Sequence, residues 1–288
     1  MFFLLLAILG SASLPVLFRA FDDWRVNVFW AIPANYLTCV FVGTVWGGHG
    51  LDVWEMPYES WAPLALLQGI ILAVNFFLIA HTAQRVGVSV AALASRLSVA
   101  IPAVLAFLIY GDSVTFPKMF GLLGALLSLY LCTAPDVRSS AKVSFSTKML
   151  PLLVFFTFGC YFTIIKYAQA YYLDASSYHS YVMSGFFFAF LTSLLIGLAK
   201  RVLSTVDFRV RHLTGGVLLG VINYAAVYAL LRVLALDGWE SSKVYPIYSV
   251  GVVALSTLMA LIFFREQLSR KKTVGLLVGL LAVAMLNR

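Results

Sequence analysis

The chain predicts an all-α integral membrane fold of ten transmembrane helices, arranged as two inverted five-helix repeats. Three observations carry that expectation. Of its 288 residues, 62% are hydrophobic and 11% charged, where an ordinary soluble domain carries roughly a quarter charged. The apolar residues come in blocks, repeatedly reaching the ~20 residues a helix needs to cross a hydrocarbon core of about 30 Å. Finally, a spaced set of residues in the first half returns in the second.

Taken in order, apolar windows and the charged or turn-rich breaks between them predict helices over 2–21, 25–46, 60–81, 87–110, 116–134, 149–171, 177–199, 211–233, 240–264 and 272–287. The opening run from Phe2 to Val16, with its small residues Gly10 to Ser13, has the length of a signal-peptide core. It lacks the basic start of such a peptide and reads as the first helix. Arg19 and Arg25 punctuate the first break and Arg85 follows the third helix. The fourth helix opens at Gly87, and the fifth follows Asp112. The longest hydrophilic connection, Pro135 to Lys148, divides the chain near its middle into a first repeat, 1–134, and a second, 149–288.

The two halves echo each other. Asn75 is followed by Arg85, and Asn223 by Arg232; each half then runs through a long helix to an acid, Asp112 or Glu266. Six residues on comes Lys118 or Lys272, and three further Gly121 or Gly275. Five helices per copy oblige the second copy to enter the membrane the opposite way round, the plan of many secondary transporters.

The net charge of +8 does not point to nucleic acid, because the basic residues are scattered singly or in pairs between apolar spans. They read as topology signals. Fourteen, among them Arg19, Arg85, Lys148, Arg201, Arg211 and Lys271, fall in connections after odd-numbered helices; only Lys118, Arg232 and Arg288 fall on the other side. The positive-inside rule then puts the odd connections in the cytoplasm and both termini outside, in what reads as a bacterial inner membrane. Cys39, Cys132 and Cys160 all lie within apolar spans, without metal-ligand spacing, and read as plain core residues.

Phe264-Arg265-Glu266-Gln267-Leu268 closes the ninth helix, and Gly159 precedes Lys166 by seven residues in the sixth. In these motifs the chain resembles the EamA-like domain of the drug/metabolite transporter superfamily. The resemblance implies ten helices in two five-helix copies, with both termini cytoplasmic, against the charge count. The first half departs from the pattern, with Tyr110-Gly111-Asp112-Ser113-Val114 in place of the glutamate motif and Leu17 seven residues after Gly10.

Ionisable residues inside hydrocarbon are costly and usually face a cavity or a partner. Arg96 lies nine residues beyond Gly87, about 13 Å along the helix and so near the midplane. Two readings stand for it: bonding to carbonyls or serines of neighbouring helices, or a substrate or gating role. Lys166 and Lys243 lie nearer their helix ends, where they either belong to a site or snorkel to the interface. Ser242, Tyr245, Ser249 and Ser256 share one side of the ninth helix with Lys243, and Pro246 is expected to break that helix locally. Gln68, Asn75 and Thr82 recur at seven-residue intervals on one face of the third helix, and Asn223 answers Asn75. Such a stripe faces protein or water, either as interhelical hydrogen bonds or as a site. Tyr161, Tyr167, Tyr224, Tyr228, Tyr245 and Tyr248 could wall a cavity, with some in the interfacial belt. The glycine pairs 121/124, 216/220 and 275/279 read as close-packing positions, and Glu266 and Asp112 as structural or gating residues.

No aspartate or glutamate lies near the centre of any apolar span, whereas Arg96, Lys166 and Lys243 lie within them. That balance disfavours a cationic-drug antiporter, which needs a shared carboxylate. It favours an anionic or zwitterionic metabolite held by fixed positive charge. Phosphate-binding glycine loops, paired zinc histidines and nucleophile elbows are missing from the sequence, so no cofactor, metal or enzymatic activity is expected. The expected partners are the bilayer and a small solute, such as an amino acid, exported or exchanged by alternating access. Arg96, Asn75, Asn223, Lys243, Tyr245, Ser249, Gln68 and Lys166 are the candidate ligands. A flippase for a polar-headed lipid is the alternative.

Overall fold

Long apolar runs free of strand-like alternation can satisfy their own backbone hydrogen bonds only as helices where water is excluded. The computed structural model describes residues 1–47, 55–98, 100–102, 104–105, 116–133, 144–173, 177–204, 209–234 and 241–286. Among them there is no strand. The helices are α1 (Phe2–Asp23), α2 (Val28–Gly47), α3 (Ala62–Arg85), α4 (Val88–Leu97), α5 (Phe116–Thr133), α6 (Phe145–Tyr171), α7 (Ser177–Ser204), α8 (Val210–Leu234), α9 (Ser241–Phe263) and α10 (Arg270–Leu286). A short 3₁₀ turn, Met56–Tyr58, precedes α3. Six of these, α1, α2, α3, α6, α7 and α8, are long and apolar enough to cross a membrane.

Two expectations about helix continuity are corrected. The fourth helix is not continuous over 87–110: α4 ends at Leu97, with a turn at Ser98 before helical residues resume at 100. Pro102 explains the break. It has no N–H for the Ser98 carbonyl, and its ring crowds that oxygen. The Ser98 carbonyl instead accepts the Ile101 N–H at 3.0 Å, and the Ser98 hydroxyl turns back onto the Ser95 carbonyl. In α9 the reverse holds, because the backbone is helical straight through position 246. A proline there removes only the bond to the 242 carbonyl, a loss that helices in apolar surroundings tolerate.

Burial is inverted relative to a water-soluble protein. On α3, Gln68, Asn75 and Thr82 are 3%, 0% and 0% exposed, while Leu66, Leu67 and Ile70 are 44%, 44% and 39% exposed. The same contrast sets buried Asn35, Ser128, Ser184 and Asn223 against exposed Phe41, Leu123, Leu195 and Val221. Turning polar side chains inward and leucine outward is favourable only against an apolar solvent.

The chain divides into two compact units. Unit one comprises Met1–Arg19, Leu78–Gly159 and Ala225–Arg288; unit two comprises Ala20–Phe77 and Cys160–Tyr224. The divides fall inside α1, α3, α6 and α8, two residues after Asn75 in α3 and one residue after Asn223 in α8.

In unit one, Val90, Leu93, Ala94 and Leu97 of α4 form a core with Ala125 of α5, Val154 and Phe155 of α6, Val253 of α9, and Leu276 and Val283 of α10. Leu4, Ala7, Ile8 and Ala12 of α1 meet Ala229 and Val233 of α8 and Tyr248 and Val252 of α9 in a second cluster. Helix α4 runs opposite to α9, since Val88 meets Glu266 and Arg96 meets Tyr248. Helix α5 runs opposite to α10, with Gly124 against Ala282 and Ser128 against Gly275.

In unit two, α2 and α8 run the same way: Asn35 faces Gly220 and Gly43 faces Tyr224. So do α3 and α7, where Trp61 meets Tyr181, Gln68 meets Gly185, and Gly69 meets Phe188. Against α2, both α7 and α3 are reversed, through Phe29 with Gly197, Gly43 with Met183, Phe29 with Phe77, and Tyr36 with Leu72. In every one of these pairs, helices of like number parity run together and helices of unlike parity run opposed.

Candidate functional site

Every residue of α4 except Arg96 is buried. The helix is pinned by packing on its other sides, so Arg96 has one direction in which to extend. Its guanidinium carbon lies 4.7 Å from the centroid of the Tyr248 ring, and Nη2 donates to the Tyr248 hydroxyl at 3.3 Å. That hydroxyl is 2.6 Å from Ser11 Oγ. Either hydroxyl can donate in that pair, so Arg96, Tyr248 and Ser11 form one hydrogen-bonded chain linking α4, α9 and α1.

A guanidinium offers five N–H donors. Arg96 Nε is buried with no hydrogen-bond partner, and Arg96 has no carboxylate partner among the described residues. A cation over an aromatic face gains roughly 0.5–2 kcal/mol, depending on desolvation, which falls short of what taking an ion out of water costs. The break after Leu97 helps, because it leaves Arg96 in the last turn of α4, where carbonyl ends favour a cation. What remains is a positive charge with spare donors, suited to a carboxylate or phosphate oxygen.

Glu266 stands at the other end of α4. Its Oε2 accepts the Val88 N–H at 3.2 Å, so a carboxylate from the α9–α10 connection caps α4 from outside that helix. Gly87 makes room for it. That residue has φ +136°, and a Cβ there would collide with Glu266 Oε1 and stand 2.9 Å from Cδ. Burial raises the Glu266 pKa above the ordinary carboxylate value; Lys272 and the amides of Ser89 and Val88 oppose but do not cancel the shift.

The remaining sequence candidates fall as follows. In unit one, Ser249 is buried beside Tyr248 on α9, and Ser256 turns its hydroxyl onto the Val253 carbonyl. Lys243, Tyr245 and Pro246 belong to the backbone of α9, but their side chains, like Asp112 as a whole, lie outside the described residues. In unit two, Asn223 Nδ2 donates to Asn35 Oδ1 at 3.2 Å and approaches Cys39 Sγ at 3.6 Å, an interhelical bond between α8 and α2. Asn75 is 0% exposed, yet neither atom of its amide has a partner, and Gln68 Oε1 has none either. Lys166 is exposed near the end of α6, where a long cationic chain reaches an interface. Gly216, Gly220 and Gly279 each sit where another helix comes too close for a larger side chain, and a Cβ at Gly124 would stand 3.2 Å from Ala282 of α10.

Sequence reasoning did not find Ser11, and it counted Tyr248 among several wall tyrosines. The signal for Tyr248 was its place on α9, one residue from Ser249. Nothing local marks Ser11, which lies 237 residues from its partner.

No protein-family model matches the chain. It is similar to an uncharacterized protein of Haemophilus influenzae, 22% identical over 284 residues, which cover 97% of this chain and 95% of that one. The similarity thus extends over nearly the whole of both chains.

Proposed function

We propose that the protein is a secondary transporter of a small polar solute, anionic or zwitterionic as an amino acid is, working by alternating access. Arg96 carries the reading: an arginine on a helix packed among apolar helices, held by a tyrosine, with a buried unpartnered Nε and no carboxylate partner among the described residues. Charges at such depth mark substrate and ion paths. A purely structural arginine would have its donors spent on carbonyls or a counter-ion.

Ten spans in two inverted five-helix repeats are part of the same proposal. The parity of helix directions within each unit supports it, because a chain threading the membrane ten times must alternate in that way. The placement of the unit divides just after Asn75 and just after Asn223 supports equivalence of the halves. The EamA-like motifs favour the same plan. The lysine and arginine count puts the connections after odd-numbered helices in the cytoplasm of a bacterial cell.

Purified protein reconstituted in proteoliposomes tests the reading by counterflow of labelled amino acids, organic anions and sugar phosphates, beside a fluorescent-phospholipid scrambling assay. Exchange of a carboxylate- or phosphate-bearing solute is the expected result. Lipid scrambling without solute exchange would replace the transporter by the flippase alternative.

A further inference from the structure

Unit two contains a second run of unsatisfied polar atoms, separate in composition from the arginine centre. Trp61 Nε1, Gln68 Oε1, Tyr181 Oη and Ser184 Oγ are all buried without a hydrogen-bond partner. Their residues are 3%, 3%, 0% and 0% exposed. A polar group taken from water and left unpaired costs several kcal/mol in an apolar medium, so four together call for an occupant.

The four lie along one seam. Trp61 stands one residue before α3, seven residues ahead of Gln68 and in line with the face that continues to Asn75; at the helical rise that spacing is about 10 Å. Tyr181 and Ser184 are three apart on α7. The seam is closed at one end by Trp61 against Tyr181, rings edge-on at 5.9 Å and 87°. It is closed at the other by the Gln68 amide against Gly185, where a Cβ would stand 2.9 Å from Nε2. The helices run in the same direction, so Tyr181 and Gly185 follow each other along α7 as Trp61 and Gln68 do on the α3 side.

We propose that this seam of α3 and α7 binds the carboxamide edge of a small solute. Its unmet atoms comprise a donor in Trp61, an acceptor in Gln68, and two hydroxyls able to do either. None carries a charge, so a carboxylate or ammonium would enter uncompensated, while a neutral group with C=O and N–H side by side would use both kinds. The flat aromatic end suits a planar amide. The inference rests on the transporter reading, and it narrows the transported solute to one carrying an uncharged amide.

L-Glutamine and L-glutamate, alike in shape and different only in this group, are the probes. Equilibrium binding of labelled L-glutamine to the protein in nanodiscs is expected to exceed that of L-glutamate. Gln68→Leu and Tyr181→Phe, made separately, should each weaken it at least tenfold. Both changes remove an unsatisfied polar atom, so neither should lower the melting temperature. Failure of L-glutamine to bind, equal binding of L-glutamate, or variants that bind like wild type would overturn the proposal and assign the seam to buried water. Counterflow on the same preparation keeps the two readings apart. Transport of another solute without L-glutamine binding defeats only the amide site; L-glutamine binding without any transport defeats only the transporter.

Discussion

Substituting Gly87 by alanine probes how α4, and with it Arg96, is set in place. Gly87 occupies φ +136°, ψ 154°, a region open essentially to glycine alone; forcing a side chain there costs about 1–3 kcal/mol. The added methyl would also collide with Glu266 Oε1 and drive the carboxylate off the Val88 N–H, removing an N-cap worth about 0.5–2 kcal/mol. Together the two effects come to roughly 1.5–5 kcal/mol, or about 3–20 °C in apparent melting temperature at 2–4 °C per kcal/mol. Fluorescence-monitored melting of the detergent-solubilised protein, at fixed scan rate because unfolding is irreversible for many such proteins, measures it. A second arm isolates the mechanism. Glu266→Ala should destabilise the wild type but add little once Gly87→Ala has displaced the carboxylate, so the pair should be strongly non-additive. A Gly87→Ala protein melting within a degree of wild type, or additive effects of the two changes, would refute the reasoning.

Three further outcomes follow from other contacts. Burial holds the Glu266 pKa above its unfolded value, so the folded state binds the proton more tightly; stability should rise as pH falls from that raised value toward the ordinary carboxylate range. Melting curves across this window should show a wild-type gain that Glu266→Gln lacks, and parallel pH profiles of the two proteins would count against it. Ser128→Ala deletes the 2.6 Å bond from α5 to the Gly275 carbonyl of α10 and should cost about 0.6–1.7 kcal/mol, the range for such bonds in lipid, read as a small drop in melting temperature. With the native cysteines replaced, Ser146→Cys and Ser269→Cys should react with a membrane-impermeant maleimide only from the cytoplasmic side, and Glu59→Cys only from outside; the reverse pattern would invert the proposed orientation.

Most helix positions were legible because hydrophobic length in a membrane sequence is a nearly direct readout of a helix. Starts and ends differ by a few residues, as at Phe145 against the expected 149 and Ser204 against 199. These two run outward because a helix does not stop at its first charged residue, whereas α2 and α3 start two or three residues later than expected, at Val28 and Ala62. The break after Leu97 was missed because the apolar run resumes at Val99 with no turn-rich gap; the information lay in Pro102, four residues beyond the carbonyl it disrupts. The depth of Arg96 could be read from spacing, but not its hold on Tyr248 and Ser11, which is a tertiary pairing across 152 and then 237 residues. Glu266 was marked as a helix-closing residue in its own half, yet the helix it caps begins 178 residues earlier. The α3 stripe was visible as a period of seven. Its extension to Trp61, and the α7 hydroxyls beside it, required knowing which helix lies alongside.

Solute counterflow with wild type, Arg96→Ala and Arg96→Lys measures what the Arg96 guanidinium contributes to transport. The alanine variant is expected to lose at least about a hundredfold in exchange, since a charge-assisted bidentate contact and its cation are both gone, whereas lysine restores charge but not the fork and recovers only part. Exchange at wild-type rates in the alanine variant would contradict this expectation and leave Arg96 as a packing residue.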